Sequence, residues 1–157
     1  MKTAAVLTVS DSSFQGTRTD LSGPAVVRLL EQSGFEVVRT GVVPDERGPI
    51  QSQLLECCRQ ARLVVTVGGT GIAPRDITPE ATLAVAERII DGIAEKMRFE
   101  GSKKTAFAAL SRGVCGTKGK SLLLNLPGSP AAATESLEAV LAILPHALDL
   151  LEGNTAH

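Results

Sequence analysis

Two carboxylates, Asp45 and Asp76, bracket a glycine-rich stretch, Gly68-Gly69-Thr70-Gly71. Glycines let backbone N–H groups come close to an anion, and an adjoining helix start adds a favourable dipole. Alone, such a stretch reads as a tight loop. Here Arg75-Asp76 and Thr78-Pro79 follow it, which favours an anion site. Two carboxylates beside a phosphate-binding loop suggest Mg²⁺, which takes oxygen ligands and substrate phosphates. Asp45 and Asp76 are therefore the candidate catalytic and Mg²⁺-binding residues. The blander reading makes Asp45 a turn cap and pairs Asp76 with a neighbouring arginine.

Other constellations carry less. Ser10-Asp11 follows an apolar run and suggests a serine nucleophile, but that chemistry needs a histidine base. The histidines are His146 and His157. His146 is expected on a helix surface or at a subunit contact. Gly119-Lys120-Ser121 resembles the end of a P-loop. Val114 stands where the first glycine belongs, however, and the tripeptide precedes a strand, so a hairpin turn is expected. Pro127-Gly128-Ser129-Pro130 lacks the paired glycines of a nucleophile elbow.

The elements that must position these residues alternate. Thr3 to Val9, Phe35 to Val43 and Leu63 to Val67 read as strands, the third fully apolar as central parallel strands are. Ser22-Gly23-Pro24 and Thr78-Pro79-Glu80 each read as an N-cap with a proline in the first turn. A second helix carries Ile50, Leu54, Leu55 and Cys58 on one face. Ile89 to Ser111 reads as helix interrupted near Gly92 and Gly101. Val114-Cys115 and Ser121 to Leu126 read as strands, and Pro130 to Leu141 and Pro145 to Leu151 as closing helices. The expected fold is a three-layer α/β/α domain spanning residues 1–157, with a mostly parallel sheet between helices. Ligands of such sheets sit beyond the carboxyl ends of the strands. Ser10-Asp11, Pro44-Asp45, Gly68-Gly69 and Pro127-Gly128 all fall at those ends.

Composition narrows the function. The chain has 157 residues, enough for one compact core. Aromatics are 3%, with no Trp or Tyr, and the net charge is −1. Both facts argue against a nucleic-acid surface. No stretch approaches the roughly 20 apolar residues of a membrane span. Cys57, Cys58 and Cys115 show no metal-ligand spacing and read as reduced, partly buried thiols. With no signal-like start, a cytoplasmic location is expected.

Taken together, the motifs resemble the molybdenum-cofactor biosynthesis family of MoaB and Mog type, with the gephyrin G domain and the plant adenylyltransferase domain as relatives. The resemblance rests on Val9-Ser10-Asp11, Asp20-Leu21-Ser22-Gly23-Pro24, Val43-Pro44-Asp45 and Gly68-Gly69-Thr70-Gly71 with Arg75-Asp76-Ile77-Thr78-Pro79-Glu80-Ala81. Leu110-Ser111-Arg112-Gly113 and Asn125-Leu126-Pro127-Gly128-Ser129-Pro130 complete it. It implies Mg²⁺-dependent transfer of AMP from ATP to the terminal phosphate of molybdopterin, with release of pyrophosphate. It assigns catalysis to Asp45 and Asp76. It places substrate at Ser10, Asp11, Ser22, Gly23, Gly68, Gly69, Thr70, Gly71, Ser111, Arg112, Asn125, Pro127 and Gly128. A homotrimer or hexamer follows from the same resemblance, as does a molybdenum insertase as downstream partner. The closing helices, with Leu137, Val140, Leu141, Leu144, Leu148 and Leu151, suggest more apolar surface than one helix layer buries. Two alternatives remain: a non-catalytic molybdopterin-binding protein of the same fold, and a nucleotide pyrophosphatase of the competence-damage type.

Overall fold

A computed structural model describes residues 1–155 of the chain. His157 lies outside the described residues. Six strands form one sheet in the order β2-β1-β3-β6-β5-β4. They are β1 (Lys2–Val9), β2 (Phe35–Val43), β3 (Leu63–Val67), β4 (Arg88–Ile89), β5 (Cys115–Lys118) and β6 (Ser121–Leu126). The first four positions in that order run parallel, and β5 is antiparallel to both β6 and β4. The helices are α1 (Asp11–Phe14), α2 (Ser22–Gln32), α3 (Arg47–Gln60), α4 (Thr78–Val85), α5 (Asp91–Ser102), α6 (Pro130–Val140) and α7 (Leu144–Leu151). A 3₁₀ turn covers Ala106–Leu110.

Strand alternation explains the layers. Ala4 and Val6 of β1 face one way, with Val65, Leu122 and Leu124, and are covered by α2, α5, α6 and α7. Ala5, Leu7 and Val9 face the other way, with Val64 and Leu123, and are covered by α3 and α4. Both faces of the central strands are buried, so every residue of β3 and β6 is out of solvent, whereas the edge strand β2 is partly exposed. Each fully buried leucine stabilises the fold by about 1.5–3 kcal/mol relative to exposure.

Register decides where the chemistry sits. Val9 pairs with Val43, Thr8 with Val67, and Val67 with Leu126. The four parallel strands therefore end at one edge. The residues that follow them, Ser10, Pro44, Gly68 and Pro127, line up along it.

Several sequence expectations change. Ser22 and Thr78 do not cap their helices. They are the first helical residues, and their hydroxyls instead donate to Gly128 O (2.6 Å) and Gly68 O (2.9 Å). Asp20 takes the capping role at α2, accepting from Gly23 N at 3.0 Å. On α3 the buried face is Ile50, Leu54 and Cys57, while Leu55 is exposed and Cys58 half-buried. The break expected near Gly101 is there, since α5 ends at Ser102 and a 3₁₀ turn follows at Ala106, but Gly92 lies in the first turn of α5 without interrupting it and Ile89 belongs to β4. The closing helices bury Leu137, Val140, Leu144 and Leu148 within the chain itself, each at 1% exposure or less. Four helices on one sheet face cover those leucines, where the sequence reading allowed for one thin layer. Leu141 and Leu151 stay partly exposed, so only part of the apolar surface that argued for oligomerisation remains. Gly119-Lys120 is the expected hairpin turn between β5 and β6, with Gly119 at φ +58°.

Candidate active site

Ser10 begins the site at the end of β1. Its hydroxyl accepts from Ser13 N at 3.2 Å and caps the short α1, which carries Asp11 in its first turn. Asp11 and Asp45 then bind each other's backbone. Asp11 N donates to Asp45 Oδ2 (2.9 Å), and Asp45 N donates to Asp11 Oδ1 (3.0 Å). Arg75 grips Asp11 from outside, with Nε at 2.6 Å from Oδ2 and Nη2 at 3.0 Å from Oδ1. The bidentate pair holds the Asp11 carboxyl below the ordinary aspartate range, with the Asp45 backbone N–H adding to the effect. Arg75 is thus committed to Asp11, and the blander alternative, an ion pair between Asp76 and a neighbouring arginine, does not form among the described residues. Asp76 Oδ2 accepts from Ala73 N at 3.0 Å instead, closing a local turn.

Asp45 is in the opposite condition. Partial burial pushes its carboxyl above the ordinary range; its backbone hydrogen bond with Asp11 offsets part of this, while the charges of Asp11 and Asp76 add to it. A carboxylate so placed, with like charges near it, gains from an added cation.

Between Asp45 and Asp76 runs the glycine loop. Gly68 has φ +104° and packs so tightly on β1 that a Cβ would lie 2.4 Å from Val9 O. At Gly69, φ +68°, a Cβ would meet Thr78 Oγ1 at 2.3 Å and Asp45 Oδ1 at 3.1 Å; at Gly71 it would meet Asp76 Oδ2 at 2.9 Å. Those distances put both carboxylates against the loop. Loop carbonyls are spoken for: Gly68 O and Gly69 O by Thr78, Thr70 O and Gly71 O by Arg112. Among the described residues, the N–H groups of Gly69, Thr70 and Gly71 have no protein acceptor. Carbonyls fixed inward and amides left over make an anion cradle.

Pro127-Gly128 forms the other half of the floor. Gly128 lies so close to Gly68 that a Cβ on it would stand 3.4 Å from Gly68 Cα. Ser22 ties this half to α2 through Gly128 O. Gly23 is needed for close approach, since a Cβ there would collide with Asp20 Oδ2 at 2.4 Å and Thr8 Oγ1 at 2.5 Å.

The floor separates two cavities. One, about 500 Å³, has apolar walls that include Met97, Phe107 and Leu110, and Ser111 on its rim. The other, about 460 Å³, is lined by Ser10, Ser13, Ser22, Arg18 and Asp45. Gly69, Asp76, Gly128 and Ser129 are common to both. Among the described residues no histidine lines either cavity; His146 is on α7.

Arg112 and Asn125, which the resemblance places at the substrate, both have protein partners, and Asn125 also lines the apolar cavity. All three nitrogens of the Arg112 guanidinium have acceptors. It meets both Glu80 oxygens (2.9 and 2.8 Å), Gly71 O (2.8 Å) and Asp76 O (2.7 Å). Asn125 is buried. Its Nδ2 donates to Thr66 Oγ1 and Thr82 Oγ1, and its Oδ1 accepts from Val114 N. Arg112 braces the loop from Gly71 to Asp76, and Asn125 links β6 to β3 and α4. Glu80 was missed by sequence reasoning, although its place two residues after a helix start and four after Asp76 is a usable signal. Among the described residues no group of three or more His, Cys, Asp or Glu gathers to hold a metal.

A mostly parallel sheet between two helix layers, with a glycine floor, uncommitted amides and two flanking carboxylates at its carboxyl edge, defines a three-layer α/β/α domain. The chain belongs to the family described as probable molybdopterin binding domain, which matches residues 5–146. It is similar to the molybdopterin biosynthesis enzyme MoaB from Thermus thermophilus. That structure shares 50% identity and superposes with a TM-score of 0.92, with 98% of each chain covered. It is 42% identical over 153 residues to the molybdopterin adenylyltransferase of Helicobacter pylori strain J99, covering 95% of this chain and 87% of that one. It is 41% identical over 152 residues to the molybdenum cofactor synthesis protein cinnamon of Drosophila melanogaster, covering 95% of this chain. The chain spans only 25% of cinnamon's length.

Proposed function

We propose that this chain is a molybdopterin adenylyltransferase of molybdenum-cofactor biosynthesis. A terminal phosphate oxygen of molybdopterin attacks the α-phosphorus of ATP, the bond to the bridging oxygen breaks, and pyrophosphate leaves. A phosphate monoester with a second pKa near about 6 is already anionic at neutral pH, so this nucleophile needs no histidine base. The observation that carries the reading is the row of uncommitted amides at Gly69, Thr70 and Gly71, set between Asp45 and Asp76. Identity to adenylyltransferases over nearly the whole chain supports it.

The two cavities suit two substrates that meet at the shared floor. The pterin takes the apolar cavity with Ser111 on its rim, and the ATP polyphosphate takes the polar one. Ser10, Ser22, Gly23, Gly68 and Gly128 shape the phosphate side, with Asp11 holding Asp45 in place and Pro127 ending β6. Mg²⁺ fits the donor set: two carboxylates without a third ligand leave positions for waters and substrate phosphates, as this ion prefers. When bound it offsets charge on the triphosphate. Asp45 and Asp76 would hold it, and Arg112 and Asn125 keep the wall from shifting.

The same reading extends to a homotrimer or hexamer in the cytoplasm that passes adenylylated molybdopterin to a molybdenum insertase. Among the described residues no helix is long and apolar enough to cross a membrane. The deciding experiment incubates the protein with molybdopterin, ATP and Mg²⁺ and looks for adenylylated pterin by mass spectrometry. Pyrophosphate release without that product would refute the assignment.

A further inference from the structure

We propose that Arg18 is the protein's contact for the β- and γ-phosphates of ATP, and hence for the departing pyrophosphate. The inference rests on the adenylyl-transfer reading above and adds a residue to it that no motif named. The starting point is charge. A triphosphate brings several negative charges into a cavity whose wall already holds Asp20, Asp45 and Asp76. Fixed protein cations in such a site must come from the side chains that surround it.

Four arginines stand around the glycine floor, and three are committed. Arg75 is bound to the Asp11 carboxylate. Arg112 is bound to Glu80, Gly71 O and Asp76 O. Arg98, on the wall of the apolar cavity, donates to Gly113 O at 2.8 Å and Ser111 O at 3.4 Å. The fourth, Arg18, lines the polar cavity and is its sole lysine or arginine among the described residues. Its guanidinium makes none of the ion pairs or side-chain hydrogen bonds found among those residues. Asp20, two residues on, does not claim it, because Thr8 Oγ1 and Gly23 N occupy the Asp20 oxygens.

The backbone beneath Arg18 is held in place. Ser12 O accepts from Thr17 N (3.0 Å), Thr17 Oγ1 (3.1 Å) and Arg18 N (3.3 Å). Gly16, at φ +79° with open space around it, makes the turn that folds this segment back onto α1. An arginine with an anchored backbone and an uncommitted planar fork suits a phosphate that arrives and must leave again. In the transfer step negative charge builds on the bridging oxygen as its bond to the α-phosphorus breaks. A cation on the β- and γ-phosphates stabilises that charge; the adenylyl group itself needs none of it.

The experiment compares wild type with Arg18→Ala and Arg18→Lys, each as the full chain. Calorimetry measures affinity for ATP, pyrophosphate, AMP and molybdopterin, and steady-state assays measure transfer. The expected loss in Arg18→Ala is about tenfold or more for ATP and pyrophosphate, as befits one charge-assisted contact. AMP and molybdopterin should stay within about twofold, and Arg18→Lys should recover part of the loss. Equal losses for AMP and ATP would mark a structural role and overturn the proposal, as would an unchanged ATP affinity. Weakened molybdopterin binding with ATP unchanged would also overturn it and move the residue to the other substrate. Wild type that binds ATP in an Arg18-dependent way without transferring AMP would remove the function while leaving Arg18 in place. Active transfer indifferent to Arg18 would do the reverse.

Discussion

Asp11 and Asp45 each accept a hydrogen bond from the other's backbone N–H, at 3.0 and 2.9 Å, so two like charges are held side by side by neutral donors. The loops after β1 and β2 are thereby locked together. The electrostatic load is not shared equally. Arg75 pairs directly with Asp11, while Asp45, beside the glycine floor, has no cation bound to it among the described residues.

Asp45→Asn should therefore stabilise the ligand-free protein at neutral pH while lowering adenylyl transfer by about 10²-fold or more. The amide keeps the shape and can still accept from Asp11 N, but loses the charge that binding needs. Because burial raises the Asp45 pKa in the folded state, its contribution to stability is present below the unfolded value near about 3.9 and is lost as pH rises through the raised one. The melting-temperature gain of the variant should accordingly be least at acidic pH and grow toward neutrality. A gain independent of pH would remove the charge from the explanation.

Asp11 titrates with the opposite sign. Arg75 depresses its folded pKa, so the contribution of the pair is present above the unfolded value near about 3.9 and is lost as pH falls through the depressed one. Arg75→Ala should lower the urea midpoint at pH 7 more than at pH 3. Arg75 is 59% exposed, so the difference should be small and shrink further in molar salt. A larger deficit in acid would contradict the pairing.

Much of this was readable beforehand. The strand ends that carry Ser10, Asp45, Gly68 and Gly128 follow from apolar runs broken by glycine, proline and aspartate. Hydroxyls were misjudged: a serine or threonine before a proline resembles a cap, yet Ser22 and Thr78 reach out to Gly128 O and Gly68 O. Periodicity is blind to a partner on another element. The same blindness hid Arg75 on Asp11, 64 positions apart, and Glu80 beneath Arg112. β4 escaped because two exposed residues, Arg88 and Ile89, carry no alternation to read.

Glu80 and Arg112 tie down the segment from Gly71 to Asp76 through Gly71 O and Asp76 O. Glu80→Gln should lower kcat on the order of 10- to 100-fold, the cost of a small misplacement of the reacting groups. Molybdopterin affinity should change little. Arg112→Lys should mimic it, because an ammonium cannot meet Glu80 and two carbonyls at once. If Arg112→Lys weakens molybdopterin binding and Glu80→Gln does not, Arg112 touches the substrate directly, as the family resemblance implies.

Three glycines with positive φ separate backbone strain from crowding. Gly119→Ala has open space, so its cost is the left-handed penalty alone, about 1–2 kcal/mol, with activity unchanged. Gly68→Ala adds a collision with Val9 O, a backbone atom that cannot turn aside, and should cost clearly more. Gly69 is the informative case. Its added Cβ would meet Thr78 Oγ1 at 2.3 Å, so Gly69→Val loses stability as well as phosphate binding, where the loop pattern alone suggests binding as the main casualty. Gly69→Ala paired with Thr78→Ala tests which term dominates. Removing the Thr78 hydroxyl relieves the collision but frees Gly68 O from its donor. If crowding dominates, the double variant melts above Gly69→Ala alone and still binds pyrophosphate poorly, because the Cβ remains 3.1 Å from the Asp45 Oδ1 position. Chemical denaturation and pyrophosphate calorimetry on the single and double variants decide it. Wild-type affinity in the double variant would mean that the N–H groups of this loop are not the anion cradle.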